Sequence, residues 1–112
     1  MPQAARLYDA VDGITAGEHC GHVPPHGPIP FTGEIIGGCS PNVRTNKLPA
    51  AVVTSVTEER DACCGSSRGR IGTGSGTVRI NGLPAARLGD ALTPHNGGGT
   101  VTGGSPDVRI GG

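Results

Sequence analysis

An all-β fold is what this sequence predicts, and three observations predict it. First, short segments repeat. Ser40-Pro41-Asn42-Val43-Arg44 returns as Ser75-Gly76-Thr77-Val78-Arg79-Ile80, and again as Ser105-Pro106-Asp107-Val108-Arg109-Ile110. Second, apolar and polar residues alternate within the repeats: Val78 and Ile80 fall on one strand face and Arg79 on the other. Third, the 21 glycines and 10 prolines among 112 residues punctuate these runs as turn residues. Composition alone would suggest disorder. A fixed internal repeat argues for a tightly turned β-structure instead.

A second element, Asn81-Gly82-Leu83-Pro84-Ala85-Ala86-Arg87-Leu88-Gly89-Asp90, is echoed by Asn46-Lys47-Leu48-Pro49-Ala50-Ala51 and by Ala4-Ala5-Arg6-Leu7-Tyr8-Asp9. In the middle copy Val52 stands for the arginine and Ser55 for the aspartate; in the first, Tyr8 stands for Gly89. Ser40, Ser75 and Ser105 recur at similar intervals, so the three units fit a pseudo-threefold axis. The loops after Asp9, Ser55 and Asp90 then rise at one end. Strands are expected over 34–37, 42–45, 51–56, 70–72, 77–81, 86–88, 100–102 and 107–110. Asn81-Gly82 reads as a tight hairpin turn, because both positions tolerate positive φ. Pro49 and Pro84 mark strand starts or edges, since neither can donate to a ladder. Residues 57–62 suit one helical turn capped by Thr57. Residues 9–32 read as a long loop, stiffened by Pro24, Pro25, Pro28 and Pro30.

The length holds one domain, residues 1–112. One Phe, one Tyr and no Trp leave a core of Val, Ile, Leu and Ala. A domain near this size buries roughly two thirds of its unfolded surface. Rigidity then calls for a metal, a disulfide or a partner. The formal charge of zero removes the case for nucleic acid, which needs a basic face. No apolar run approaches the ~20 residues of a membrane span. Met1-Pro2-Gln3-Ala4-Ala5-Arg6 lacks the apolar stretch of a signal peptide. The expectation is synthesis in a reducing cytoplasm, where disulfides are uncommon, with a dedicated machine for any export. With the third repeat ending just before Gly111-Gly112, the expectation is that no toxin is fused here and any effector is a separate chain or a separately docked domain.

The chemistry-bearing residues gather on the expected loops. His19, Cys20, His22 and His26 fall on the first, Cys63 and Cys64 on the second, and His95 on the third. Imidazole and thiolate ligands converging from three loops are a zinc signature. Gly72-Thr73-Gly74-Ser75-Gly76 and Gly97-Gly98-Gly99-Thr100 read as turn glycines, because neither opens a helix and no Lys follows. A Cys64–His95 nucleophile pair would need an open cleft and an oxyanion site, and neither is indicated. Glu58 and Glu59 read as solvated carboxylates. Arg6, Asp9, Arg87 and Asp90 recur in step and read as structural ion pairs or contacts at the base. Cys39 stands where Gly74 and Gly104 stand in the other units, so it reads as a small packed side chain. Cys20 has no evident metal role.

Pro84-Ala85-Ala86-Arg87, its Asn-Gly-x-Pro-Ala-Ala-Arg-x-Gly-Asp setting, the three Ser-x-x-Val units and the His/Cys set together resemble the PAAR family, the tip proteins of bacterial type VI secretion spikes. The resemblance runs from Ala4 to Gly111. It implies a small cone of three pseudo-threefold β-hairpin repeats with metal-binding apical loops. It further implies a zinc held by three His and one Cys near the point. Carried onto this chain, that set is His22, His26, Cys64 and His95. His19 is the alternative to His22, because His22-Val23-Pro24-Pro25-His26 closes the shorter chelate. Cys63 is the alternative to Cys64, which is preferred because Gly65 follows it and can make a tight turn. The implied function is non-enzymatic: one copy caps a trimeric VgrG-like β-helical spike, sharpens it for membrane puncture, and serves effector delivery. The implied partners are that spike and effector proteins, with no nucleic acid and no integral membrane segment. The implied route is from the bacterial cytoplasm, on the spike, to the outside or a target cell. Two rivals share the residues: the tip of a contractile phage-like tail, and a small zinc hydrolase with an open coordination position.

Overall fold

The computed structural model describes residues 2–17, 26–61, 65–93 and 98–111. It is all-β, with no helix among the described residues. Nine strands follow in order: β1 (Ala10–Gly17), β2 (His26–Gly37), β3 (Arg44–Thr45), β4 (Leu48–Pro49), β5 (Val56–Asp61), β6 (Gly65–Arg70), β7 (Arg79–Ile80), β8 (Leu83–Pro84) and β9 (Gly98–Val101). Five form one antiparallel sheet in the order β6-β5-β2-β1-β9, while β3–β4 and β7–β8 are separate hairpins. Residues 91–93 close the sheet on itself. Ala91 bridges Thr100 of β9, and Leu92 bridges Ile71 at the end of β6. Gly72 N–H donates to the Ala91 carbonyl at 2.8 Å, and Thr93 N–H to the Arg70 carbonyl at 2.7 Å. The ring therefore consists of three hairpin arms: β1–β2, β5–β6, and 91–93 with β9. The molecule is elongated, 43 × 24 × 22 Å.

Strand alternation sends one face of each arm into the ring. Val11, Phe31, Ile35, Ile71, Leu92 and Val101 pack there as the core, joined by Ala5, Ala51 and Ala86 from below. Ile35, Ile71 and Val101 hold the same place in the three arms. Their N–H groups donate to the carbonyls of Asp9, Ser55 and Asp90 at 3.0, 3.0 and 2.9 Å. In return the N–H groups of Tyr8, Thr54 and Gly89 donate to their carbonyls, each at 2.8 Å. The threefold repetition thus runs through the whole structure.

Several expectations need correction. Residues 57–61 belong to β5 and form no helical turn. Thr57 and Glu59 point into the ring and are buried, while the exposed Arg60 guanidinium bonds Glu34 at 2.7 Å and Glu58 at 3.0 Å. Cross-strand pairing at period two outweighs the local cap signal. Glu59 is accordingly not a solvated carboxylate; its Oε2 accepts from the Thr57 hydroxyl at 2.5 Å. Much of the expected 9–32 loop is strand. Pro28 and Pro30 sit in β2 above Phe31, where β5 pairing ends and β2 has only β1 beside it. At such an edge a missing N–H costs little. The expected strands 51–56 and 86–88 are instead single bridges at Val52 and Arg87, each followed by a turn.

Candidate functional site

Each basal unit starts from a serine. The hydroxyls of Ser40, Ser75 and Ser105 accept from the amides of Val43, Val78 and Val108 at 3.0, 2.9 and 2.9 Å. The same hydroxyls donate to the next unit: Ser40 to Asn81 Oδ1 at 2.5 Å, Ser75 to the Gly111 carbonyl at 2.6 Å, and Ser105 to Asn46 Oδ1. The carbonyls of Val43, Val78 and Val108 then accept from Ala50, Ala85 and Ala4 at 2.9, 3.0 and 2.9 Å. Two units close this way over hairpin turns with positive φ at Asn46-Lys47 and Asn81-Gly82. The third pairs the two chain ends, with Gln3 bridging Arg109 where Pro49 pairs Arg44 and Pro84 pairs Arg79. Pro49 and Pro84 are therefore the second residues of their strands. Their carbonyls accept from Leu7 and Val53 of neighbouring units, both at 2.9 Å.

Alanine makes the joint between units. Ala5 N–H donates to the Ala86 carbonyl, Ala86 to Ala51, and Ala51 to Ala5, each at 3.0 Å. This closed triangle requires three backbones to approach one another, so only small side chains fit. Beyond it each unit turns upward under a cap. Arg6 and Arg87 amides donate to Asp9 and Asp90 Oδ2 at 2.7 Å, and their guanidinium groups reach Oδ1 at 2.9 Å. The side-chain hydrogen bonds to these aspartates raise both arginine pKa values. Each guanidinium also bonds the carbonyl ahead of its serine: Arg6 that of Gly104 at 3.4 Å, Arg87 that of Gly74 at 3.3 Å. In the middle unit the cap shrinks. The Ser55 hydroxyl accepts from Val52 N–H at 2.9 Å and donates to the Gly38 carbonyl at 3.1 Å. Cys39 packs there against the core, half-buried, and burial pushes its thiol pKa up. Val52 does not fill an arginine's volume, and a small pocket of about 80 Å³ opens between Cys39, Pro41, Val52, Ile80 and Leu83. The departures at Val52, Ser55 and Cys39 are one coupled replacement.

The basal surface follows from these units. Val43, Val78 and Val108 remain 38, 36 and 37 % exposed, a threefold apolar set that the fold leaves uncovered.

In the chain, residues 18–25 connect β1 to β2, 62–64 connect β5 to β6, and 94–97 precede β9. Register places their flanking strand ends on one side of the sheet. Gly17 pairs His26, Asp61 pairs Gly65, and Ile14 pairs Gly98. His26 is thus the first residue of β2 rather than part of a loop. Gly65 opens β6 and makes no turn. His22, Cys64 and His95 lie outside the described residues, as do His19, Cys20 and Cys63. Among the described residues no cluster of three or more His, Cys, Asp and Glu is placed to hold a metal. No helix among the described residues is long and apolar enough to cross a membrane.

The comparison with curated proteins finds no match. The family model described as PAAR motif matches residues 19–93, which is more than half of the chain. That span takes in the middle unit, the Pro-Ala-Ala-Arg unit and residues 62–64, and the chain belongs to the PAAR-motif family.

Proposed function

We propose that this protein is the tip of a type VI secretion spike, one copy capping the blunt end of a trimeric VgrG-like β-helix. PAAR-motif proteins are structural spike tips. The observation that carries the finer reading is the threefold identity of the basal hairpins. One chain offers Val43, Val78 and Val108 in one setting three times, so each subunit of a trimer meets nearly the same surface. No second copy is needed to complete it. The function is non-enzymatic, and a phage-like tail tip would use the same geometry.

Zinc fits the other end. The donor set His22, His26, Cys64 and His95 suits a closed tetrahedral ion, and the β1–β2 and β5–β6 ends and the start of β9 lie at the same end of the sheet. When bound, the ion would tie together arms distant in sequence. A full set of four protein ligands leaves no open position for hydrolysis. The route is from the bacterial cytoplasm outward on the spike, carrying effector proteins.

The test is the mass of the complex with a purified trimeric spike. One copy per trimer is expected. Val78→Asp, in a variant that keeps its circular dichroism spectrum, should weaken binding. Three copies per trimer would sink the capping argument.

A further inference from the structure

Two of the three units are filled at a place where the middle one is open. The Arg6 guanidinium runs from Asp9, at 2.9 Å, to the Gly104 carbonyl at 3.4 Å and Asn46 Oδ1 at 3.1 Å. Arg87 runs likewise from Asp90, at 2.9 Å, to the Gly74 carbonyl at 3.3 Å. The corresponding places around the middle unit belong to Val52, Ser55, Cys39 and Asn81. Val52 ends short, and the space beyond it is the pocket of about 80 Å³. One water needs only about 10–15 Å³, so this space exceeds a packing defect.

The pocket is apolar. Cys39, Pro41, Val52, Ile80 and Leu83 form its wall, and no charged side chain lines it. Its two polar side chains engage each other, the Ser40 hydroxyl donating to Asn81 Oδ1 at 2.5 Å. Burial pushes the Cys39 thiol pKa up, so the thiol adds no charge. The replacements at Val52, Ser55 and Cys39 thus exchange a socket for an ion pair for an uncharged one, and none of them fills it. Atoms lining such a space lack contacts on one side. Position then points to the occupant. Pro41 lies two residues before Val43, and Ile80 two residues after Val78. The pocket therefore lies between the segments that carry two of the three exposed basal valines. A partner that covers both valines reaches it.

We infer that this pocket takes one aliphatic side chain, of leucine, isoleucine or methionine size, from a single subunit of the trimeric spike end. This rests on the capping reading above. All three subunits present the same side chain, but Arg6 and Arg87 occupy the matching place in the other two units. One subunit is thereby distinguished from its partners. The cap has three equivalent seatings, related by thirds of a turn, and leaving any of them requires withdrawing the side chain. The valines supply contact that is alike in every seating, and the pocket resists rotation between seatings.

The experiment measures binding of the full chain to the purified trimeric spike, using two variants that fill the pocket. Cys39→Gly/Val52→Arg/Ser55→Asp gives the middle unit the residues of its neighbours, and Val52→Met fills the space without charge. Each should bind about tenfold to a hundredfold more weakly, the worth of one buried aliphatic side chain, mainly through faster dissociation. Neither should lose melting temperature, because both add contacts to an open space. In the parent complex, labelling of Cys39 by N-ethylmaleimide, read by peptide mass, should be slower than in the free chain. If the triple variant does not fold, Val52→Met carries the comparison; if neither folds, Cys39 labelling decides. Unchanged binding by the folded variants, or Cys39 labelled as fast in the complex as in the free chain, overturns the pocket as a spike contact. With Val78→Asp still defective, that result leaves capping intact. No spike binding by the parent chain overturns both.

Discussion

Gly33, Gly69 and Gly99 occupy one place in the three arms, each two residues before Ile35, Ile71 or Val101. A Cβ at Gly33 would lie 1.7 Å from the Glu58 carbonyl oxygen, one at Gly69 2.5 Å from Glu59 Oε2, and one at Gly99 2.7 Å from the Phe31 ring. The ring has no room for a side chain at this level. The neighbours differ in how far they can give. Backbone at Glu58 cannot yield without breaking the β2–β5 ladder, whereas a carboxylate can swing. Gly69→Ala should therefore cost about 1–3 kcal/mol, the usual range for overpacking. Gly33→Ala should exceed that range. Gly82→Ala has open space around it but a φ of +83°, so only backbone strain of roughly 1–2 kcal/mol is expected. Urea unfolding of the three variants tests the order; Gly33→Ala as stable as Gly82→Ala would show that the neck is looser than described. Asp107 shows a second residue-scale effect. The Asn46 side-chain amide, donating at 2.8 Å, and the Ser105 hydroxyl hold its pKa below the ordinary carboxyl value. A depressed pKa adds stability that is fully present above the unfolded value and lost as pH falls through the folded one. Asp107→Asn should therefore be less stable than the parent at neutral pH, and the gap should vanish as pH falls through the lowered Asp107 pKa. A gap constant with pH would assign the effect to packing rather than charge.

At the scale of elements, the hairpins were legible and the arms were not, for one physical reason. A basal unit depends on residues that signal themselves: a serine cap, a β-branched valine, an Asn-Gly turn, a proline whose missing N–H is harmless. At the level of Gly33, Gly69 and Gly99 the arms face a space too narrow for an added side chain. Their inward positions therefore read Gly33, Gly69 and Gly99, or the polar Thr57 and Glu59, and the period-two signal goes blank. This is why β1, the first part of β2 and β5 escaped a reading by periodicity. The middle unit's departures at Val52 and Ser55 were visible in sequence. Their compensation by Cys39 was not, because it depends on where an arginine in the other units reaches. The proposed zinc would tie the upper ends of the arms, so it should matter most there. Structural zinc can supply roughly 10 kcal/mol or more of folding free energy. One zinc per chain should co-purify, and His26→Ala or Cys64→Ser should each lose most of it. Separate His22→Ala and His19→Ala variants decide the remaining ligand. With a chelator, hydrogen exchange should speed first at the upper ends of β1, β2, β5, β6 and β9, while the amides of Ala5, Ala51 and Ala86 hold longest. Full zinc content in the His26/Cys64 double variant would refute the ligand choice.

On the scale of the whole molecule, the third unit is assembled from both ends of the chain. Ile110 N–H donates to the Pro2 carbonyl at 2.9 Å, and Ala4 N–H to the Val108 carbonyl at 2.9 Å. The sequence carries this unit as two fragments, Ala4 to Asp9 and Ser105 to Ile110, at opposite ends, and only the closed ring makes them one. Its partner units hold the same pairing across a turn, so here folding must bring together ends about a hundred residues apart before the alanine triangle can close. That entropy is paid only in this unit. A chain whose ends are joined through an Asn-Gly turn between Ile110 and Pro2 would carry three complete hairpins. By the loop-closure relation for a ring of this length, the gain is about 5 kcal/mol. For a domain of this size that is a rise in melting temperature of roughly 20 °C. Because the join restores a turn already present twice, it should leave zinc content and spike stoichiometry unchanged. Deleting residues 105–112 does the opposite: it strips Ala4 and Gln3 of their partners and should prevent cooperative unfolding from being seen at all. A joined chain no more stable than the open one would mean that the ends are already held together in the unfolded ensemble. The threefold closure would then be a consequence of folding rather than its costliest step.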